Sequence, residues 1–230
     1  MSRKVHAYVS QEKLIGELSF NISKKLREAI KKRGHASLIV SGGSTPKALF
    51  KALSEHELMW ENVTIGLCDE RWVNPSSSDS NEYLVRQYLI QNKAATAHFI
   101  GMYREGDIEV AQGICHEQLQ QLGTPFDVVI LGMGSDGHTA SLFPNNEKLQ
   151  EAYNFKSNAL CVALTPSEAP YKRMSLTLPA IMSASSVFLH FEGDEKIAIY
   201  NQAICNHDYY KMPISAVLNQ EDKEIEVYFR

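Results

Sequence analysis

Between Phe126 and Pro144 the chain reads FDVVILGMGSDGHTASLFP, and within it a carboxylate, Asp136, stands two residues before an imidazole, His138. An imidazole, with an ordinary pKa of about 6.5, takes a proton from water near neutral pH, and a carboxylate beside it can orient the ring. The chemistry open to such a pair is general-base hydrolysis. Taken alone, a histidine in a turn reads more readily as a structural residue satisfied by its neighbours. Gly132, Gly134 and Gly137 shape the run, because glycine lets backbone adopt positive φ and lie close to a ligand.

Three further groups carry chemistry. Ser41 to Pro46 reads SGGSTP, in which Thr45 suits a helix N-cap and Pro46 a first helical position. A loop of Gly42, Gly43, Ser44 and Thr45 entering a helix would present free N–H groups and the positive end of the dipole to an anion, above all phosphate. The same residues would serve a plain strand-to-helix turn. Asp69, Glu70, Arg71 and Trp72 follow an apolar run directly, which fits either a site or a solvated loop with an internal ion pair. Arg173 and Lys196 are the remaining cations of interest. Lys196 falls in the first turn of a predicted helix, where a cation opposes the dipole; it is there for another reason or is one of many surface lysines.

The elements that must position these residues follow from periodicity. Apolar positions Leu14, Leu18, Ile22, Leu26 and Ile30 predict an amphipathic helix over Gln11–Arg33, capped by Ser10 and closed by Gly34. Strands are predicted at 4–9, 37–40, 63–68, 127–131, 159–164, 187–191, 214–218 and 225–229, with a turn at 219–223 between the last two. Helices are predicted over 81–91, 108–122 and 193–203, a flexible polar loop over 74–80, and an irregular stretch after Leu164 forced by two prolines. Strand and helix alternate through most of the chain. That order predicts an α/β fold with a doubly wound, mostly parallel sheet flanked by helices, and residues 1–230 forming a single domain. In such a sheet the 41–45 loop, Asp69–Arg71 and the 134–138 turn share one edge, beyond the carboxyl ends of three strands.

Composition narrows the function. Hydrophobic residues at 44% and charged residues at 22% exclude disordered and fibrous classes. A net charge of −4 with no basic tract argues against nucleic acid, and no apolar run reaches a membrane-spanning length. The N-terminus has no apolar stretch of the secretory kind. Cys68, Cys115, Cys161 and Cys205 are scattered without metal-ligand spacing, and the eight histidines form no HxxxH or HExxH, so free thiols, a cytoplasmic setting, no metal and no cofactor are expected. Cys68, at an apolar strand end, reads as packing rather than as a nucleophile. GMGSDG lacks the spacing and the acidic partner of a dinucleotide site.

SGGSTP, DERWV and GMGSDGHTASLFP, in this order and at these intervals, resemble the lactonases of the glucosamine-6-phosphate isomerase/6-phosphogluconolactonase family. The resemblance runs from the second strand through Lys196 and implies a fold of the NagB/RpiA-like kind. The deaminases of that family tend to continue HIAFNEP after the histidine and to carry tyrosine after the Asp-Glu pair; this chain has HTASLFP and Arg71. The resemblance implies hydrolysis of 6-phospho-D-glucono-1,5-lactone, with His138 as base and residues 41–45 holding the sugar phosphate. Arg71, Arg173 and Lys196 match the family's cationic clamp. Asp69 matches an acidic position of the shared site, able to orient water, bind a sugar hydroxyl or fix the loop. Asn74 stands where the family often has proline, and Ser76–Ser78 replace a stiffer stretch, which implies a looser lid. The expected partner is a small phosphorylated sugar lactone, and the expected assembly a monomer or weak homo-oligomer. A glucosamine-6-phosphate deaminase and a non-catalytic sugar-phosphate sensor are the alternatives.

Overall fold

A computed structural model describes residues 3–230. β1 (Arg3–Ala7) leads to Ser10, whose hydroxyl accepts from the Lys13 N–H and opens α1 (Gln11–Arg33). Gly34 ends that helix at φ 80°, a left-handed conformation, while its N–H donates to the Ile30 carbonyl at 2.7 Å. The five apolar residues spaced along α1 are all buried, each stabilising the fold by about 1.5–3 kcal/mol over an exposed position. β2 (Ala36–Val40) follows, then α2 (Lys47–Ser54), β3 (Val63–Leu67), β4 (Asp69–Arg71) and α3 (Asn81–Tyr88). Next come β5 (His98–Phe99), α4 (Ile108–Gln120), β6 (Val128–Leu131), α5 (Leu149–Ala152), β7 (Cys161–Leu164) and β8 (Arg173–Leu176). α6 (Leu178–Ser183), β9 (Ser186–Phe191), α7 (Asp194–Ala203), α8 (Pro213–Leu218) and β10 (Ile225–Phe229) complete the chain.

Seven strands form one sheet in the order β1-β10-β9-β6-β2-β3-β5, and every pairing in it is parallel. All residues of β2 and β6 are buried, as strands covered on both faces must be. From β2 the chain builds outward through β3 to β5, then returns to place β6 on the other side of β2 and builds outward again through β9 and β10. The order therefore reverses between β2 and β6. Beyond the carboxyl ends of those two strands lies the crevice where such sheets bind ligands.

The structure departs from the sequence reading in four places. Asp69–Arg71 is a strand rather than a loop: it belongs to a second, antiparallel sheet, β4-β8-β7. The irregular stretch after Leu164 contains β8, a four-residue strand after the positive φ of Tyr171, and then α6, capped by the Thr177 hydroxyl. Residues 214–218 form helix α8, so residues 219–223 link a helix to a strand. A run buried at every position shows neither the two-residue nor the 3.6-residue period, and the signal that decides is Pro213 at the first helical position. Thr45 does not cap α2; the helix begins one residue later than predicted, with Pro46 at the cap and no side-chain cap bond.

Candidate active site

The Ser41–Thr45 loop, Asp69 with Arg71, and the turn around His138 meet in one cleft of ≈ 230 Å³ at the β2/β6 switch. Lys196 and His190 close its β9 side. Asp136 supports His138 from beside the cleft, and Arg173, opposite Arg71 across β4 and β8, is outside the lining.

The His138 turn is held by its own backbone. The Gly134 N–H donates to the His138 carbonyl at 2.9 Å, and the Gly137 N–H to the Gly134 carbonyl at 3.1 Å. Gly137 sits at φ 81°, where a Cβ is strained, and an added Cβ would also meet Met212 Cγ at 2.9 Å. The Ile214 N–H, at the start of α8, donates to the Gly137 carbonyl at 2.9 Å and anchors the turn from outside. Asp136 Oδ1 accepts from the His138 N–H at 3.0 Å and lies 2.6 Å from His138 Nδ1. Burial pushes the Asp136 carboxyl up, but the His138 ring and N–H outweigh it and hold it below its ordinary value. A carboxylate can only accept, so it places a proton on Nδ1 and leaves Nε2 as the basic nitrogen. The ring rests on Phe143, centroids 4.5 Å apart.

Across the cleft, no N–H of residues 42–45 finds a hydrogen-bond partner among the described residues, and the loop runs into α2. Unpaired donors at a helix N-terminus accept an anion readily. Gly42 is required there by space: an added Cβ would fall 1.8 Å from Asn81 Oδ1. Asn81, a buried residue that the sequence reading passed over, lines the cleft and donates from Nδ2 to the Asp69 carbonyl at 2.8 Å. It therefore ties the anion loop to Asp69.

Asp69 Oδ2 accepts from the buried Ser141 hydroxyl at 2.6 Å. That bond joins β4 to the segment just after His138 and commits the Ser141 hydroxyl to a structural task. Cys68, fully buried beside Asp69, has its thiol pushed up by burial, as a packing residue does.

Glu70 is the residue that holds β4 against the start of α3. Its carboxylate accepts from the Arg71 N–H, the Asn81 N–H, the Glu82 N–H and the Ser80 hydroxyl, at 2.8, 2.7, 2.8 and 2.9 Å. Burial pushes this carboxyl up to about 7 against the pull of those four donors. Nothing in the sequence separated Glu70 from its charged neighbours; the side-chain signal was the buried helix start eleven residues on. Replacing Glu70 by alanine strands those donors, and the expected loss is about 2–4 kcal/mol of unfolding free energy, read by urea denaturation. A loss below about 1 kcal/mol would mean that water replaces the carboxylate.

The cations are distributed around this frame. Arg71 and Arg173 pair across β4 and β8, and Arg71 Nη1 donates to the Asp79 carbonyl at 2.5 Å. Arg173 is buried with Nε unpartnered, and its guanidinium lies 5.8 Å from the centre of the Phe143 ring that supports His138. Burial and the Arg71 charge lower its pKa, while Asp69, Glu70 and Asp79 oppose them. Lys196 is lowered by burial, against attraction from Glu195 and Glu192. Lys196 lines the cleft from the first turn of α7.

A family model described as glucosamine-6-phosphate isomerases/6-phosphogluconolactonase matches residues 9–227. A 6-phosphogluconolactonase of Rhizobium meliloti is 38% identical over 230 residues, covering 100% of this chain and 99% of the relative. One from Pseudomonas aeruginosa is 40% identical over 202 residues, covering 87% and 85%. The crystal structure of a 6-phosphogluconolactonase from Shewanella baltica superposes with a TM-score of 0.96 at 41% identity, covering 99% of this chain and 97% of the other. A match over nearly every residue from β1 to β10, with the same architecture, leaves one conclusion: the chain belongs to the glucosamine-6-phosphate isomerase/6-phosphogluconolactonase family.

Proposed function

We propose that this chain hydrolyses 6-phospho-D-glucono-1,5-lactone to 6-phosphogluconate, the step that its relatives' name describes, in the oxidative pentose phosphate pathway. The observation that carries the reading is the 2.6 Å contact of Asp136 with His138 Nδ1 on the wall of a cleft whose floor is an open N–H loop. A phosphate on that loop fixes one end of the sugar and leaves the lactone carbonyl within reach of the imidazole.

In this mechanism His138 Nε2 takes a proton from water as the water oxygen bonds the lactone carbonyl carbon. The bond from that carbon to the ring oxygen then breaks, the imidazolium returns its proton to the ring oxygen, and the new carboxylic acid ionises. Asp136 holds the ring in the tautomer the step requires and stabilises the imidazolium. Backbone N–H groups of the glycine turn or a cationic side chain meet the oxyanion. A positioned base contributes about 10²- to 10⁴-fold, so the phosphate grip must supply much of the remaining acceleration by orientation. Asp69, braced by Ser141 and Asn81, keeps its place as an acidic wall of the cleft.

The test is lactonase activity on freshly generated 6-phosphogluconolactone, timed against spontaneous hydrolysis, beside ammonia release from glucosamine 6-phosphate. Acceleration of the first alone supports the reading; ammonia release alone would make the chain a deaminase, and silence in both a sensor. We place the reaction in the cytoplasm, carried by residues 1–230 as one domain acting on a free small molecule, as a monomer or weak homo-oligomer. No helix among the described residues is long and apolar enough to cross a membrane.

Arg173 bears on the substrate through Arg71 and Phe143 rather than by lining the cleft. Arg173→Ala is expected to act mainly on KM, raising it by about tenfold, the effect of losing roughly 1.4 kcal/mol of binding. A KM equal to that of the parent in steady-state kinetics would place Arg173 outside the clamp.

A further inference from the structure

His190, near the carboxyl end of β9, lines the cleft beside Lys196 although its side chain is only 2% exposed. Its Nε2 is enclosed and lies 3.5 Å from Glu192 Oε1, within ion-pair range but without a formed hydrogen bond. No group among the described residues bonds the other ring nitrogen, Nδ1. A polar side chain buried this deeply is ordinarily satisfied, by protein, water or ligand. Glu192 is itself fixed: it accepts from Gln11 Nε2 at 3.0 and 3.1 Å and from Arg230 Nε at 2.9 Å. The nearby imidazole, with Gln11 and Arg230, holds the Glu192 carboxyl below its ordinary value, so a carboxylate faces Nε2.

A carboxylate facing Nε2 favours the proton on that nitrogen and leaves Nδ1 as a lone-pair acceptor. An acceptor bonds a hydroxyl, and it has nothing to offer an unprotonated phosphate oxygen or a carbonyl. We propose that His190 is a substrate-contacting residue whose Nδ1 accepts a hydrogen bond from a sugar hydroxyl, with Glu192 as the positioning residue that sets its tautomer. The proposal rests on the sugar-phosphate reading of the cleft and adds a part to it. Lys196 and the 42–45 loop grip the charged end, and His190 reads the polyol.

The experiment titrates two probes, 6-phosphogluconate and inorganic phosphate, calorimetrically into the parent protein, His190→Phe and His190→Asn, with thermal melts to establish that each variant is folded. Phenylalanine keeps the ring volume and loses the acceptor; asparagine loses volume and keeps an amide oxygen near the Nδ1 position. The expected result is that His190→Phe weakens 6-phosphogluconate on the order of tenfold, leaves phosphate within about twofold, and that His190→Asn recovers most of the loss. Equal weakening of both probes would overturn the proposal in favour of a phosphate contact. The reverse order, with phenylalanine harmless and asparagine damaging, would overturn it in favour of packing. Should His190→Phe fail to fold, Glu192→Ala takes its place, with a few-fold loss for 6-phosphogluconate and no weakening for phosphate as the expected result. Turnover of the lactone by the parent protein is measured in parallel. Binding of 6-phosphogluconate without turnover would overturn the hydrolase reading and leave the His190 contact standing on its own titrations.

Discussion

Alanine at position 138 is expected to lower kcat for 6-phosphogluconolactone by about 10²- to 10⁴-fold, the contribution of a positioned general base. The affinity for inorganic phosphate, read as competitive inhibition or by direct titration, is expected to stay close to that of the parent. The separation follows from the structure. The Ser41–Thr45 loop is shaped by Gly42 against Asn81 and by the start of α2, none of which touches the imidazole. The turn itself survives the substitution, since its bonds at position 138 are made by the backbone: the N–H donates to Asp136 and the carbonyl accepts from Gly134. A variant that retained full turnover would remove His138 from the mechanism, and one that lost phosphate together with turnover would show that the turn had collapsed. A companion change, Asp136→Asn, offers an amide where a carboxylate stood and weakens the bias toward the Nε2 base, so an intermediate loss is expected of it.

The sheet was legible in the sequence because parallel strands covered on both faces are apolar runs, and because each is followed by its turn chemistry. The convergence of three loops was legible for the same reason: β6, β2 and β3 are immediate neighbours, so the ends of their strands adjoin. What stayed hidden was everything that depends on partners far away in sequence. Asp69–Arg71 looks like a charged loop until Ser175 and Arg173 pair with it 106 and 102 residues later. Glu70 is a buried clamp only because the start of α3 comes to lie on it. α8 buries all six of its residues, which erases the period by which a helix is known.

The candidate site shows the same division. The placement of Gly42–Thr45 and His138 at one sheet edge follows from the strands before them, whereas His190 sits in a run, VFLHF, that reads as plain core strand. Its exposure is that of a core residue too. Only the placement of β9 beside β6 turns it toward the cleft. Asn81 and His190 thus reach the site from neighbouring elements, and the motifs SGGSTP, DERWV and GMGSDGHTASLFP do not contain them.

Gly134→Ala is expected to cost turnover about as much as losing the base, through geometry alone. Gly134 does not need glycine for its backbone, since its φ lies outside the left-handed region. The requirement is spatial: a Cβ there would fall 2.2 Å from His138 Nδ1, 2.3 Å from Cε1 and 2.6 Å from Asp136 Oδ1. All three atoms belong to the proposed base and the carboxylate that orients it. An alanine methyl wedges into the contact that fixes the tautomer, and the ring must swing away, with Phe143 limiting where it can go. Displacement of a catalytic group by about 1 Å costs on the order of 10²-fold in rate, so kcat should fall by at least that much. Phosphate affinity should hold, because the obstruction is local to the histidine turn. The measurement that checks this is steady-state kinetics on the lactone together with the imidazole resonances of His138 by NMR, which should move as the ring leaves Asp136. If kcat stayed within about threefold of the parent while the resonances moved, the position of the ring relative to Asp136 would not govern the rate, and the base would have to act without its carboxylate.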